Sequence, residues 1–340
     1  MLGEMALEEK PKSIEELIKY LSTEKEMQIS EENQLDLQNI GYYHAYKGYR
    51  YIRQPTKRIA FQSFEELLAI YHFDADLKAL FYPHIMFIET ALKNRVLSGV
   101  TQLADSGNFT TIYNQLLNSH KDFDNKIIKY KNGKSANPFK DHMKKRMELR
   151  DRFYQVQTNA YKNENRIAQH YLNYDKALPI WAIFELISLG EFGNFVQCLN
   201  KSCRASISSE LGIRPCDDSN FLLLQRLIFA VKDLRNAIAH DDIIFDTRFC
   251  RGKIDRQVGT VIKNCFTIEA PTFQTITDYL ILICYLLHLL GADSQKIINL
   301  VTEYSKLTEK LRAQIPIETF SQIIHTEASQ QITKLQNFIK

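Results

Sequence analysis

Apolar residues recur at intervals of three and four positions along most of the chain, which is the spacing of amphipathic α-helices. The stretches 76–100 and 273–290 both follow this spacing. The clearest example is 221–240, whose apolar positions are Leu223, Leu227, Ala230, Leu234 and Ile238. With 12 glycines and 8 prolines in 340 residues, the chain has few signals for tight turns. The pattern predicts an all-α protein built from long helices.

One segment departs from the helical spacing. Residues 243–270 are rich in Ile, Val, Phe and Thr, which favour extended strands. We therefore predict a small β-hairpin in this segment, as the one exception to the helical fold.

Changes in character along the chain predict three regions. Residues 1–62 form an N-terminal helical region, residues 63–300 form a helical core, and residues 301–340 form C-terminal helices. Polar and basic residues interrupt the core at about 105–175, and we interpret this stretch as a helical insertion.

Charge is distributed unevenly, although the net charge is only +3. Residues 1–40 carry ten acidic and four basic side chains, whereas residues 121–166 carry thirteen basic and six acidic ones. A basic segment offset by an acidic one indicates a local site for a polyanion, and not a uniformly basic protein.

Two stretches combine aromatic rings with cations, as surfaces that bind single-stranded nucleic acid do. Residues 41–58 hold five Tyr, five Lys or Arg and no acidic residue, and the second stretch lies in the insertion. The candidate RNA-binding residues are Tyr43, Tyr46, Lys47, Arg50 and Arg53 in the first stretch, and Lys144, Lys145, Arg146, Arg150 and Arg152 in the second. The alternative is a Tyr-rich edge of the core in the first case and a solvated helix face in the second.

Cysteine usage and hydropathy bear on the compartment. The six cysteines form no C-x-x-C pair and no Cys/His ladder of the kind that binds zinc. The longest apolar run, from Tyr279 to Leu290, is shorter than the about 20 residues that cross a bilayer. The acidic N-terminus also lacks the apolar core of a signal peptide. We predict a reduced, cytoplasmic protein that uses no metal or other cofactor and binds no membrane.

One cluster has catalytic character, the motif Arg235-Asn236-Ala237-Ile238-Ala239-His240. A histidine can take the proton of an RNA 2′-hydroxyl or give one to the leaving oxygen. An arginine stabilises the charge that collects on the phosphate, and an asparagine can position the phosphate or the imidazole. Spacing alone is weak evidence, because sixteen arginines and nine histidines give about one such pair by chance.

Helix geometry separates the two main side chains of this motif. Asn236 and His240 lie one turn apart on one face, whereas Arg235 lies about 140° away from His240. Two copies facing each other across a two-fold axis would bring two His and two Arg around one phosphate, so we predict a composite site in a homodimer. The alternative is that His240 caps the helix and that Arg235 pairs with Asp233 or Asp241.

Five segments in a fixed order give a more specific signal, and together they resemble the Abi-like proteins of bacterial abortive infection, the AbiD and AbiF group. They are the Tyr-Tyr element at 40–49, the Phe-x-x-Leu-x-x-x-Tyr-x-Phe-Asp element at 64–74, the Glu-x-x-Leu-Lys helix at 88–95, the Leu-Pro-x-Trp element at 178–185 with Gly190, and the motif at 235–240. The chain departs from the usual pattern of that family at His44, Ala45 and Arg50.

The resemblance implies a helical bundle of the HEPN type and metal-independent endoribonuclease activity in a growth-arresting toxin of phage defence. By position it implies that His240 is the acid or base, Arg235 the phosphate stabiliser and Asn236 a polar helper. Glu185 is either a further catalytic residue or the partner that orients Arg235, and Glu89 is interpreted as structural. The resemblance also implies control by a small non-coding RNA in some members, which the basic stretches would bind here.

Two other functions stay open from the sequence. A non-catalytic RNA-binding regulator would use the same basic surfaces while the motif only packs, and a protein-interaction scaffold would use neither. The intact Arg–His pair beside a polar residue favours the nuclease.

Overall fold

The computed structural model describes residues 12–129, 132–325 and 327–339. Nearly all of its regular structure is helical, which confirms the predicted all-α class. The helices are α1 (Ile14–Glu24), α2 (Glu31–Ile40), α3 (Phe64–Ala104), α4 (Phe109–Gln115), α5 (Pro138–Lys162), α6 (Arg166–Leu172), α7 (Ile180–Leu186), α8 (Leu189–Cys198), α9 (Lys201–Glu210), α10 (Leu223–Ala239), α11 (Arg256–Phe266), α12 (Ile276–Leu289), α13 (Ser294–Arg312), α14 (Ile317–Ile324) and α15 (Ala328–Ile339). A π-helical turn (Tyr43–Lys47) follows α2, and a 3-10 turn (Ser119–Asp122) follows α4.

Helix α3 is the axis of the fold. Its 41 residues correspond to a length of about 62 Å, and it continues through Pro83. The Ser63 hydroxyl caps its first turn by accepting a hydrogen bond from the backbone N–H of Glu66. Helices α9, α10, α12 and α13 all pack against it. Because one helix contacts so many others, it fixes the positions of α10 and of the motif at the end of α10.

The interior is one continuous cluster of buried apolar side chains that reaches from Leu21 to Leu335. Helix α12 lies inside this cluster over most of its length, since its residues from Ile276 to Leu287 are all buried. Helix α10 turns Leu227 and Leu234 into the same interior, as its spacing predicts. None of the helices in the described ranges is both long and apolar enough to span a membrane.

The predicted hairpin at 243–270 is wrong in its position. There, Ile244 and Phe245 donate their backbone N–H groups to the Asp74 carboxylate instead of to a neighbouring strand. Downstream, Asp255 caps helix α11 by accepting from the N–H of Gln257. The hairpin that the structure contains lies in the basic insertion, where β1 (Ile128–Lys129) pairs antiparallel with β2 (Ser135–Ala136).

A buried carboxylate joins the N-terminal region to the segment that follows α10, and we call this contact the Asp74 junction. Asp74 accepts hydrogen bonds from the backbone of Ile244 and Phe245, both at 2.7 Å, and from the hydroxyl of Tyr49 at 3.1 Å. Lys78 lies 3.0 Å from the same carboxylate. All four partners are donors, as an ionised carboxylate requires when it is removed from water.

Arg248 makes a second connection between the same two segments. Its Nη1 and Nη2 atoms donate to the carbonyl oxygens of Gly48 and Tyr51, both at 2.7 Å. The same guanidinium is paired with the buried carboxylate of Asp246, which also accepts from the backbone N–H of Arg53 at 2.6 Å. Residues 48–53 are therefore held against residues 244–248 by two sets of contacts, those of Asp74 and those of Arg248 with Asp246.

We expect Asp74→Ala to lower the free energy of unfolding by about 3–5 kcal/mol, because it leaves the Lys78 ammonium and two backbone N–H groups without their acceptor. Asp76→Ala is the matched control two residues further along α3. Its carboxylate pairs with Lys310 at the surface and is 40% exposed, so its loss should cost about 0–1 kcal/mol. Urea unfolding followed by circular dichroism measures both, and equal losses would contradict the role of the Asp74 junction.

Candidate active site

The motif lies where α10 ends, and its backbone there has a defined shape. His240 is the C-cap residue, and its N–H donates to the carbonyl of Asn236 at 3.0 Å. Asp241 has a left-handed conformation with φ 55°, and the N–H of Asp242 returns to the carbonyl of Ala237 at 2.8 Å. These bonds form a Schellman turn. The alternative that His240 terminates the helix is thus correct for its backbone, while its side chain is exposed.

Lys78 stabilises this turn from α3. Its ammonium lies 2.6 Å from the Asp241 carboxylate and 3.0 Å from that of Asp74. A non-glycine residue in the left-handed region carries a small conformational cost, which the ion pair with Lys78 offsets. Of the two acids proposed as partners of Arg235, Asp241 is therefore bound to Lys78, and Asp233 is bound to Lys232 at 3.0 Å.

Asn236 and His240 open into a groove of about 620 Å³. Both side chains are exposed, as their one-turn spacing on a solvent face of α10 predicts. The groove is lined by His44, Lys232, Asp233, Asn236, Ala237, His240, Asp241, Asp242, Ile243, Arg248, Phe249 and Arg251. It therefore brings two imidazoles and one carboxamide together with three cations and three carboxylates, and among the cations Arg251 has no ion-pair partner in the described residues.

The second imidazole comes from the N-terminal region. His44 is exposed and belongs to the π-helical turn, in which the N–H of Lys47 donates to the carbonyl of Tyr42 at 3.0 Å. Four residues later, Gly48 is packed so closely that a Cβ atom there would lie 3.0 Å from the side chain of Ile243. Because Ile243 lies three residues after the motif and itself lines the groove, this contact places His44 of the π-helical turn at one wall of the groove.

Arg235 lies outside this groove, in agreement with its predicted angle from His240. Its Nε atom donates to Glu89 of α3 at 2.7 Å, and the other oxygen of Glu89 lies 3.0 Å from Lys93. Lys93 also donates to the carbonyl of Ile187 at 2.8 Å. No described residue accepts from Nη1 or Nη2 of Arg235. These donors are therefore free to bind water or a ligand.

The charge of Glu89 is stabilised by its two cationic neighbours. Burial acts to raise the pKa of this carboxyl, but the Lys93 ammonium and the Arg235 guanidinium outweigh it and hold the pKa below its usual value. Glu185, which the sequence offered either as a further catalytic residue or as the acid that orients Arg235, is exposed, and its side chain has no hydrogen bond or ion pair among the described residues. The orienting acid is Glu89.

The aromatic and basic stretch at 41–58 has some side chains exposed to solvent and others packed in the core. Tyr43 is 77% exposed and can offer its ring to a base, and Lys47 and Arg50 are half-buried. Tyr46 is 7% exposed and stacks on Tyr42, so its ring belongs to the core. Arg53 donates to the side chain of Gln274. We therefore assign Tyr46 a structural role and keep Tyr43 as the exposed aromatic candidate.

The basic cluster of the insertion lies on α5, as predicted, and divides in the same way. Lys144, Lys145 and Arg150 reach solvent. Arg146 lies 3.7 Å from the ring centroid of Tyr113, and its Nε and Nη2 atoms donate to the carbonyls of Leu117 and Tyr113. Arg152 pairs with Glu191. Arg146 and Arg152 thus attach α5 to its neighbours, and Arg146 in particular has a structural role.

Several cations next to the motif were not predicted from the sequence as site residues. Lys232 and Arg251 line the groove, and both also line an adjoining groove of about 440 Å³ that includes Lys253. Arg251 and Lys253 are exposed and have no ion-pair partner among the described residues. Lys232 could have been found, because it precedes Asn236 by one helical turn. Arg251 and Lys253 follow in an irregular segment that carries no periodic signal.

The fold and the groove define an all-α protein whose candidate site is the solvent-exposed end of one buried helix, with histidines and cations around it. Residues 36–246 match the family described as Abi-like protein, and the chain belongs to that family. No curated protein and no solved structure matches the chain. The matched range begins in α2 and ends just after the Asp74 junction, so it includes both the π-helical turn and the motif.

We expect Glu89→Gln to lower the free energy of unfolding by about 1–3 kcal/mol at pH 7, because two cations then lose their shared carboxylate. The folded-state pKa of Glu89 lies below its unfolded value, so its contribution is present above about pH 4.5 and is lost as the pH falls further. The difference between the two proteins should therefore narrow below that pH.

Glu185→Gln is the control, since this exposed carboxylate should change stability by less than about 0.5 kcal/mol. Urea midpoints at pH 7, 5 and 4 measure both variants. A constant difference for Glu89→Gln across these pH values would show that its charge does not stabilise the fold.

Proposed function

We propose that this Abi-like protein is a metal-independent endoribonuclease that acts as an abortive-infection toxin in phage defence. The observation that carries the proposal is the placement of Asn236 and His240, which are exposed together in a groove with Lys232 and Arg251. No described residue hydrogen-bonds the His240 side chain, so its imidazole is free to meet a ligand in this groove.

The chemistry follows from these residue types. An imidazole removes the proton of the 2′-hydroxyl, whose oxygen attacks the adjacent phosphorus, and the bond to the 5′-oxygen breaks as an acid, an imidazolium or water, gives that oxygen a proton. Asn236 would donate to a phosphate oxygen, and the nearby cations would stabilise the added negative charge. The products are a 2′,3′-cyclic phosphate and a 5′-hydroxyl. Each step needs only proton transfer and charge stabilisation.

We further propose that Arg235 acts across a dimer interface. Within one chain it lies outside the groove of His240, yet its Nη1 and Nη2 donors have no acceptor among the described residues. A second copy related by a two-fold axis would place its own Arg235 against the phosphate bound by His240 of the first. Glu89 and Lys93 would hold that guanidinium in a fixed orientation.

RNA would also be held outside the groove. Tyr43 offers an exposed ring beside His44, and Lys144, Lys145 and Arg150 offer cations on α5. These surfaces would bind either the substrate or a small non-coding RNA that controls the toxin. The second candidate function is a non-catalytic RNA-binding regulator. It is favoured by the position of Arg235, which is paired with Glu89 and lies outside the groove.

We expect the purified protein to cleave RNA in EDTA and to leave cyclic phosphate ends. His240→Ala should reduce the cleavage rate by about 100-fold or more, because it removes the proton-transfer group. Electrophoresis of end-labelled RNA measures the rate, and resistance of the ends to phosphatase before acid treatment, with sensitivity after it, identifies the cyclic phosphate.

The control is His170→Ala, which removes an exposed histidine from α6, outside the groove. It should cleave at the wild-type rate. If His240→Ala cuts as fast as this control, His240 has no part in the reaction. If the wild type binds RNA without cutting it, the regulatory function is supported instead.

The dimeric site is tested by mixing two defective variants. Arg235→Ala and His240→Ala should each be inactive alone, but co-expressed chains form heterodimers that pair an intact Arg235 with an intact His240 of the other copy. We expect cleavage at least about 10-fold above either variant, by the logic of a shared site. Size-exclusion chromatography establishes the dimer in the same samples. A fully active monomer, or a dimer without recovery, would argue against the composite site.

A further inference from the structure

His44 is the one other imidazole in the groove of His240. It is exposed, and no described residue accepts from it or donates to it through its side chain. Cleavage of RNA needs two proton transfers, one from the 2′-hydroxyl and one to the 5′-oxygen. A single histidine can perform only one of them at a time, so a second group is required for the other.

The two histidines are held in the groove by the connections described for the fold. His44 lies four residues before Gly48, whose carbonyl accepts from Arg248, and His240 lies shortly before Ile244, which is bound by Asp74. Tyr49 donates to the same carboxylate of Asp74. His44 therefore precedes residues 48–53, and His240 precedes residues 244–248. These two segments are joined by the buried contacts of Asp74 and Arg248.

The π-helical turn explains why the backbone carries His44 at this point. Such a turn adds one residue to each hydrogen-bonded ring, and such insertions are frequent at functional sites. Here it is stabilised from below by the buried side chains of Ala45 and Tyr46, while Tyr43 and His44 are left exposed. The turn thus presents the His44 imidazole to the groove and leaves the Tyr43 ring exposed next to it in the chain.

We propose that His44 and His240 of one chain form an acid–base pair for cleavage of an RNA phosphodiester. One imidazole takes the proton of the 2′-hydroxyl as its oxygen bonds to phosphorus. The other, as imidazolium, gives a proton to the 5′-oxygen as the phosphorus–oxygen bond breaks. One proton is taken up and one is released, so the step needs no further reactant. The inference rests on the proposed nuclease function and adds a second proton-transfer group to it.

The pair is tested with a substrate whose leaving group needs no proton. After the cleavage position of the wild type has been mapped on an RNA oligonucleotide, the same oligonucleotide is made with a bridging 5′-sulfur at that position. A thiolate departs unprotonated, so loss of the acid should matter little for this substrate, whereas loss of the base should matter for both. Single-turnover rates at saturating protein separate the chemical step from RNA binding.

We expect His44→Ala and His240→Ala each to slow cleavage of the 5′-oxygen RNA by about 100-fold. On the 5′-sulfur RNA, one of the two should return to within about 10-fold of the wild type, and the other should stay slow. The residue that is rescued is the acid. His44→Gln, which keeps a hydrogen-bonding side chain without proton transfer, should behave as His44→Ala does.

Several outcomes would overturn the pair. Wild-type cleavage of the 5′-oxygen RNA by His44→Ala or by His44→Gln would assign His44 no proton transfer, while the nuclease function would stand on His240. Rescue of neither variant, or of both, would also exclude the division of labour. Absence of cleavage by the wild type would remove the nuclease function itself, and the pair with it. His170→Ala serves again as the control and should match the wild type on both substrates.

Discussion

The buried carboxylate of Asp74 is the interaction on which the candidate site depends. A charge with no exposure to solvent is stable only when donors surround it, and here two backbone N–H groups, the Tyr49 hydroxyl and the Lys78 ammonium do so. Because these donors come from three parts of the chain, satisfying one charge also fixes three segments. Lys78 extends the effect to Asp241, the residue after His240, so the end of α10 is positioned by the same group.

The helices could be predicted from the sequence because their signals are local. The apolar spacing of 221–240 and the cap at Ser63 lie within the elements that they specify. The strand-like composition of 243–270 gave a wrong prediction because the contact that sets the conformation of this segment is distant in sequence. Ile244 and Phe245 are buried and satisfy their backbone through a carboxylate 170 positions away, which no local pattern encodes. Local propensity therefore indicated a strand where a long-range contact imposes an irregular backbone.

In the candidate site, too, some features follow from local sequence and others depend on tertiary contacts. The separation of Arg235 from His240 follows from the geometry of one helix, and the structure agrees with it. The partner of Arg235 could not be predicted, because any nearby acid in the sequence is a candidate, whereas Glu89 is 146 positions away and reaches it through the packing of α10 on α3. The presence of His44 in the groove likewise depends on contacts between residues about 200 positions apart.

The groove is therefore a product of tertiary structure built around a motif that is local. The motif supplies His240 and Asn236 at the end of a helix that the core makes rigid, and the N-terminal region supplies the opposite wall. An isolated helix with the same six residues would hold neither His44 nor the cations at a defined distance. Catalytic groups need such fixed positions, since small displacements weaken proton transfer strongly. The pattern of Arg and His in the sequence does not specify such an arrangement by itself, whereas the surrounding fold gives the motif a second wall.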